Sequence, residues 1–447
     1  MGKVILFSPV GGTDPVSNSN GHDGALIHCC RVYKPDEVYM YMSKYALDME
    51  SEDSRYTFCL TKLYESTGKP LNYKMIERPD LVEVQEFDFF YDDFKAEIQK
   101  ILRTMSEGDT LLLNTSSGTP AMKSALVVLA TLGDIDGRLI QVTTPDRAIN
   151  KHDHDNYDVQ FLWEYNPDNS DEFVNRCKDI SCPSIVRLKN EELIRQFLDS
   201  YDYSAALNAA QNMNSEDTKN YIHLLEFANY RSQLDYTSMS KVVEMSEVKA
   251  MLPVLTSKYR NTVEYALSLF IKAKQGNYAD FLRGLTPLIL ELFILALEKQ
   301  YGFNARDYCF KDKYSGGYKW DMKKLRANTQ TSEWVDIWNN EFPNGFREGF
   351  IVSRDLLLII RKKCNSSIVE KSELLREVEE NARNSAAHEI GMVTADTIRK
   401  MTGHSYSEII GAIKSMFKFA DVVADESKWD SYEHMNEAII QKIGSLS

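Results

Sequence analysis

The sequence predicts an α/β Rossmann-like N-terminal domain, followed by an all-α helical connector and an all-α C-terminal domain. Three observations lead there. Over the first third, short apolar runs of strand length alternate with helix-length segments. The polar stretch Asn166-Pro167-Asp168-Asn169-Ser170-Asp171-Glu172 closes that third. From about Glu191 onward the pattern is helical, with few alternating β-branched runs and apolar residues spaced near 3.6 positions apart.

In chain order, residues 3–10 form an apolar run ending in the Gly-rich Gly11-Gly12-Thr13-Asp14-Pro15. Further strands are expected over 37–42, 81–86, 110–115, 138–144 and 159–163, with helices over 24–33, 45–65, 90–105 and 119–132. Strands separated by helices imply βαβ units and a mostly parallel sheet. Later helices are expected over 259–274, 280–300, 355–363, 371–390 and 407–423, with Pro287 kinking or restarting the second. These patterns divide the chain into 1–175, 176–257 and 258–447, and no repeat of fixed period is present.

Composition narrows the function. The 447 residues carry 52 Lys and Arg against 66 Asp and Glu, a net charge of −14, which argues against wrapping long nucleic acid but leaves room for a local RNA site. The seven cysteines form no CxxC pair, so they read as reduced thiols of a cytoplasmic protein. The first residues make too short an apolar run for a signal peptide, and Leu6 stands where a myristoylation signal needs Ser or Thr. The apolar stretch 285–297 is short and interrupted by Glu291, so no membrane partner is expected.

Two loops lie where open α/β sheets bind ligands, beyond the carboxyl ends of strands. The first runs from Ser8 through Gly11, Gly12 and Thr13 to Asp14; the second is Asn114-Thr115-Ser116-Ser117-Gly118-Thr119-Pro120-Ala121-Met122-Lys123. Thr119 can cap the following helix with Pro120 in its first turn, leaving N–H groups and hydroxyls to hold phosphate or base edges, with Lys123 adding charge. The same turn also works as a strand-to-helix connection with no ligand. No GxxxxGK[ST] occurs, no GxGxxG opens the first helix, and Asn114 stands where an esterase elbow needs Gly.

Near the C-terminus, Arg383-Asn384-Ser385-Ala386-Ala387-His388 carries groups suited to RNA cleavage without a metal: one moves a proton at a ribose oxygen, the other stabilises charge on phosphorus. Arg-x4-His also occurs at Arg147…His152 and Arg399…His404, but the former sits in a polar loop and Gly403 interrupts the latter. On a helix, Arg383 and His388 diverge by roughly 140°, whereas Asn384 and His388 share a face. One copy therefore makes a thin site, and two facing helices make a fuller one. Alternatively, the motif is a surface Arg beside a partly buried His.

Together the two motifs resemble the type III-A CRISPR-associated CARF–HEPN ribonucleases, the stand-alone Csm-linked enzymes. The resemblance covers most of the chain and rests on Gly11 to Asp14, Asn114 to Met122 and Arg383 to His388, in that order. It implies a CARF ligand-sensing domain, a helical connector and a HEPN ribonuclease domain. It further implies a homodimer that binds cyclic oligoadenylate across its two-fold axis, a hexa-adenylate ring over a tetra-adenylate one, and then cleaves single-stranded RNA. His388 is expected in proton transfer or 2′-hydroxyl orientation, Arg383 at the scissile phosphate and Asn384 in orienting the pair, leaving a 2′,3′-cyclic phosphate and needing no metal or other cofactor. A weaker reading has the CARF domain slowly cut its own ligand, with Asn114 and Thr115 positioning a ribose hydroxyl.

Other residues have plainer expectations. His152-Asp153-His154-Asp155 resembles a metal cluster but reads as a solvated polar loop, Arg361-Lys362-Lys363 as a solvated helix face, and His22 as part of a flexible loop. Trp334, Trp338, Phe342 and Phe346 read as core or interface. Competing functions are a non-catalytic nucleotide-sensing CARF regulator or scaffold, and a metal-dependent nuclease built on 152–155.

Overall fold

The computed structural model describes residues 2–133, 135–145, 157–171, 173–242, 246–255, 257–386 and 393–444. They fall into two compact units, 1–189 and 190–447.

The first unit is a six-stranded sheet of β1 (Val4–Pro9), β2 (Glu37–Ser43), β3 (Tyr73–Arg78), β4 (Thr110–Asn114), β5 (Arg138–Val142) and β6 (Cys177–Asp179), in the order β3-β2-β1-β4-β5-β6. The first five strands run parallel, and β6 pairs antiparallel to β5. Helices α1 (Ala25–Tyr33), α2 (Lys44–Asp53), α3 (Arg55–Thr67), α4 (Phe87–Leu102), α5 (Pro120–Thr131) and α6 (Val159–Glu164) connect them. Both faces of the sheet are covered, so its central strands are apolar almost throughout rather than alternating. Leu6, Met40 and Leu112 point to a core with Leu26 and Leu60 of α1 and α3. Their neighbours Ile5, Phe7, Tyr41 and Leu113 point the other way, against Phe90, Phe94 and Leu126 of α4 and α5.

Three expected elements are corrected. The third strand is Tyr73–Arg78, not 81–86. That strand lies at the sheet edge and is half exposed, so its sequence lacks a strong apolar signal. The alternating 81–86 segment is loop, in which the Leu81 carbonyl accepts from the Lys44 N–H at 3.1 Å. Residues 159–163 are helical because Asp158 Oδ1 accepts from the Gln160 and Phe161 N–H groups, capping α6. The expected helix 45–65 breaks at Ser54, whose φ of 52° is left-handed. Of the two outcomes expected at Pro287, a restart does not occur, since Tyr278–Tyr301 is one helix with Pro287 inside it. The turn before the proline packs on Tyr265, whose hydroxyl donates to the Gly284 carbonyl at 3.0 Å.

The second unit is helical around Tyr278–Tyr301, whose apolar residues are buried almost end to end. Trp334 and Trp338 are fully buried in it, and Phe346 stacks on Trp338 at 4.3 Å between centroids, so the core reading of these aromatics holds. A completely buried ion pair, Arg231 Nε to Glu264 Oε2 at 2.7 Å, ties helix Ile222–Ser232 to helix Ser257–Lys274, and Ser431 Oγ accepts from the same guanidinium at 2.8 Å. Arg361, Lys362 and Lys363 pair with Glu373, Glu341 and Glu333, as a solvated face does. All seven cysteines are free, and among the described residues no helix is long and apolar enough to cross a membrane.

Asp355 gives this unit a pH dependence. Burial raises its carboxyl to about 6, although Trp320 Nε1 donates to it at 3.2 Å. Because the folded value lies above the unfolded one, the protonated form favours folding and that advantage fades as pH rises through 6. Asp355→Asn, which keeps an acceptor for Trp320, should therefore stabilise the unit at pH 8 by up to about 3 kcal/mol and have little effect at pH 4. Urea denaturation at the two pH values checks this, and an equal effect at both contradicts it.

Candidate functional site

Strand order places β1 at the centre, with β2 on one side and β4 on the other, so β1–β4 is the topological switch point of the parallel sheet. Both candidate loops leave the carboxyl ends of these two strands. A cavity of about 560 Å³ opens there, lined by Gly11, Gly12, Gly118, Thr119 and Lys123 from the two loops. Ser43, Lys44, Tyr45 and Asp48 line it from the end of β2 and the start of α2, with Leu81, Val82 and Val84 from the loop after β3.

The remaining candidate residues lie behind that surface. Asp14, 3% exposed, ties three elements together: Oδ2 accepts from the Gly11 N–H at 2.9 Å and from Ser117 Oγ at 2.6 Å, and Oδ1 from the Leu26 N–H at 2.9 Å. Burial pushes its carboxyl above the usual range, while these three donors and the charge of Lys123 oppose the rise. Asn114 Nδ2 donates to Ser8 Oγ at 2.9 Å and to Ser117 Oγ at 3.1 Å, and its Oδ1 accepts from the Ser116 N–H at 2.9 Å. Thr115 Oγ1 donates to the Ile140 carbonyl at 2.9 Å, and Ser116 Oγ accepts from the Val142 N–H at 2.7 Å. Ser8, Asp14, Asn114, Thr115 and Ser117 are thus buried and committed to one another or to backbone, whereas Gly11, Gly12, Gly118, Thr119 and Lys123 face the cavity. Thr13, between Gly12 and Asp14, is partly exposed.

Two glycines allow this closure. A Cβ on Gly11 would lie 2.6 Å from the Gly118 backbone nitrogen. Gly118 has φ +86°, and a Cβ there would lie 2.9 Å from Pro9 Cβ. Thr119 caps α5 as expected, with Oγ1 accepting from the Met122 N–H at 3.4 Å and donating to the Val84 carbonyl at 2.7 Å. The mouth thus combines the positive end of a twelve-residue helix with Lys123 and Lys44, the latter paired with Asp48 at 2.8 Å. Amides, a hydroxyl and two ammonium groups in one cleft suit a phosphate-bearing ligand.

The sequence missed a second buried network in this unit. Asp23, His28 and Asp168 are spaced to hold a metal, but their lone pairs are already used. Arg176 Nη2 donates to Asp168 Oδ2 at 2.8 Å, Arg31 Nε to Asp23 Oδ2 at 2.7 Å, and the Arg176 backbone N–H to His28 Nε2 at 2.9 Å. Burial would raise Asp23, but its His28, Arg31 and Asn166 partners outweigh that and hold its carboxyl low. Two guanidinium groups therefore neutralise the cluster without a metal ion. His22 joins its edge, 3.2 Å from Asp168, and is fixed rather than lining the cavity. The cluster 152–155 lies outside the described residues.

In the second unit, helix Ser366–Ala386 carries Arg383 and Asn384 in its last turn, while His388 lies outside the described residues. The helix buries Ile368, Leu375, Val378 and Ala382. Glu379, one turn before Arg383, is 2% exposed and accepts from Ser353 Oγ and, at 2.9 Å, from Arg376. Of the rival pairs, Arg147…His152 also lies outside the described residues. In Arg399…His404, Gly403 takes φ +80° and ends the helix as expected.

Comparison with known proteins gives the same order of parts. A model of the Cas_Csm6 CARF domain matches residues 74–177, one of the CRISPR-associated protein Csm6 6H domain matches 180–232, and one of the Cas_Csm6 HEPN domain matches 251–440. The chain belongs to the Csm6 family. The CARF–HEPN plan and endoribonuclease class expected from the sequence are those of this family. The CRISPR system endoribonuclease Csm6 of Mycobacterium tuberculosis is 29% identical over 98% of the chain and 99% of that relative. A Streptococcus thermophilus relative, CRISPR system endoribonuclease Csm6′, is 24% identical over 98% of the chain and 99% of its own length. Among solved structures, Enterococcus italicus Csm6 bound to cyclic hexa-2′-fluoro-hexa-dAMP matches with a TM-score of 0.66 at 19% identity, covering 98% of this chain and all of that one.

The closeness of the two loops is testable. Gly11→Ala should cost about 2 kcal/mol, because its Cβ meets backbone that cannot swing aside. Gly68→Ala, at φ +67° with open space around it, should cost about 1 kcal/mol from backbone conformation alone. Equal losses in urea denaturation would contradict the packing account.

Proposed function

We propose that the chain is a cytoplasmic homodimeric sensor and effector of type III-A CRISPR antiviral defence. Its CARF domain binds cyclic oligoadenylate, and its HEPN domain then cleaves single-stranded RNA. The observation carrying this reading is the cavity at the β1–β4 switch point, where Gly11, Gly12, Gly118, Thr119, Lys44 and Lys123 offer amides, a hydroxyl and positive charge. At about 560 Å³ it is of the size that holds one drug-sized ligand, so a macrocycle of several nucleotides needs a second copy opposite. A two-fold axis supplies that copy, and a ring binding one arrangement of the pair more tightly shifts both subunits together. A hexa-adenylate ring is favoured over a tetra-adenylate by the ligand of the Enterococcus italicus structure.

Cleavage follows from two facing copies of the Arg383 helix. His388 takes or gives a proton at the ribose or leaving oxygen, Arg383 steadies charge at the scissile phosphate, and Asn384 orients the pair. The 2′-oxygen bonds to phosphorus as the 5′-oxygen leaves and takes up a proton, giving a 2′,3′-cyclic phosphate and a 5′-hydroxyl without a metal. Slow cutting of the ring in the same cavity would require Asn114 and Thr115 to give up the bonds they make here, which makes it the weaker part of the reading.

A fluorescent RNA assay with a panel of adenylate rings, with and without EDTA, tests the reading. Cleavage should appear only with a ring, most strongly with the hexa-adenylate, and should resist EDTA. His388→Ala should lose at least about 100-fold of that activity while still binding the ring. Full activity in that variant, or cleavage abolished by EDTA, overturns the catalytic assignment. Ring binding without RNA cleavage by the unmodified chain would mark a non-catalytic sensor instead.

A further inference from the structure

The acidic chain contains one compact basic and aromatic element that the reading above leaves unused. Strands β7 (Cys309–Lys311) and β8 (Tyr318–Trp320) form an antiparallel hairpin, and Phe350 makes an isolated antiparallel bridge to Lys319 at its edge. Residues 306–326 carry seven Lys and Arg against three Asp, in a chain whose net charge is −14.

Strand register sorts the side chains. Cys309 pairs with Trp320, and both are buried beneath the hairpin. Phe310 pairs with Lys319, so these two share the opposite face, and Phe350 lies on the other side of Lys319. Phe310 and Phe350 are 41% and 45% exposed, and the Lys319 ammonium lies 4.8 Å from the Phe350 ring centroid. Gly317 keeps the row flat, because a Cβ there would lie 2.9 Å from the Phe350 ring. At the tip, Asp312 accepts from the Ser315 N–H and hydroxyl at 2.9 and 2.7 Å and from Lys319 at 2.8 Å, which fixes the loop and leaves Tyr314 99% exposed. Lys313, in the tip loop, is exposed and has no ion-pair partner among the described residues, whereas Lys311 shares the Cys309 face.

We propose that the Phe310–Lys319–Phe350 row is a base-stacking platform that grips the single-stranded RNA substrate, with Lys313 of the tip loop on its phosphates. Aromatic rings on a sheet accept any base through its π-face, and an unpaired lysine beside them meets the backbone, the pairing that sequence-tolerant single-strand binding requires. The platform is also linked to the proposed cleavage helix. Phe350 precedes Ser353 by three residues, and the Ser353 hydroxyl bonds Glu379, one turn before Arg383. The inference rests on the ribonuclease reading and adds where the substrate is held.

The test is steady-state cleavage of RNAs of about 6 and about 20 nucleotides at saturating ring. Phe310→Ala/Phe350→Ala should raise KM for the longer RNA about tenfold, the effect of losing roughly one stacked base, while the rate at saturating RNA stays within twofold. Phe310→Trp/Phe350→Trp should restore KM, which a merely structural defect would not allow. Lys313→Glu should raise KM for the longer RNA and flatten its dependence on salt. Unchanged KM in both the alanine and glutamate variants overturns the platform. No cleavage by the unmodified chain with any ring would instead overturn the ribonuclease reading on which it rests.

Discussion

The sensor cavity depends on a carboxylate that never reaches it. Asp14 gathers the Gly11 amide, the Ser117 hydroxyl and the first-turn amide of Leu26 onto two oxygens, and Ser117 passes the connection through Asn114 to Ser8. The ends of β1 and β4 are thereby fixed against the start of α1. Burying that carboxyl is costly, and donors on each side offset the cost. The surface that remains exposed is made of glycine backbone, a capping threonine and lysine. A ligand meets a preorganised cleft rather than loops it must first order, which keeps the entropic cost of binding low.

This arrangement explains why the site was only partly legible in the sequence. Two polar loops at carboxyl ends of strands announced a ligand crevice, and Thr119-Pro120 announced a helix start. Residue type could not say which polar groups face out: a serine or asparagine has the same spelling whether it meets a ligand or a neighbouring loop. Lys44 and Tyr45 were missed although they too follow a strand end, because α2 begins at once and they carry no glycine-rich signature. The Asp23–His28–Asp168–Arg176 network was hidden by distance along the chain, with its members up to 153 residues apart.

The fold was legible where burial is one-sided or complete. The central strands β1, β2 and β4 are apolar on both faces and stood out; edge strand β3 is half exposed and did not. Six-residue α6 was mistaken for a strand because a short apolar run has no period to distinguish the two, and only the Asp158 cap decides it. Pro287 was expected to kink or restart a helix; no restart occurs, because burial along Tyr278–Tyr301 outweighs one missing hydrogen bond. Packing settled the edge strand and the proline-containing helix, and a local cap settled α6.

The central claim is that an adenylate ring occupies the cleft built on Asp14. Hydrogen–deuterium exchange of the intact chain, with and without cyclic hexa-adenylate, addresses it most directly. Slowed exchange is expected in the backbone amides of 10–13, 43–48 and 118–123, while the already buried amides of β1 and β4 stay unchanged. Protection confined to other parts of the chain, with these three segments exchanging as before, would contradict the account.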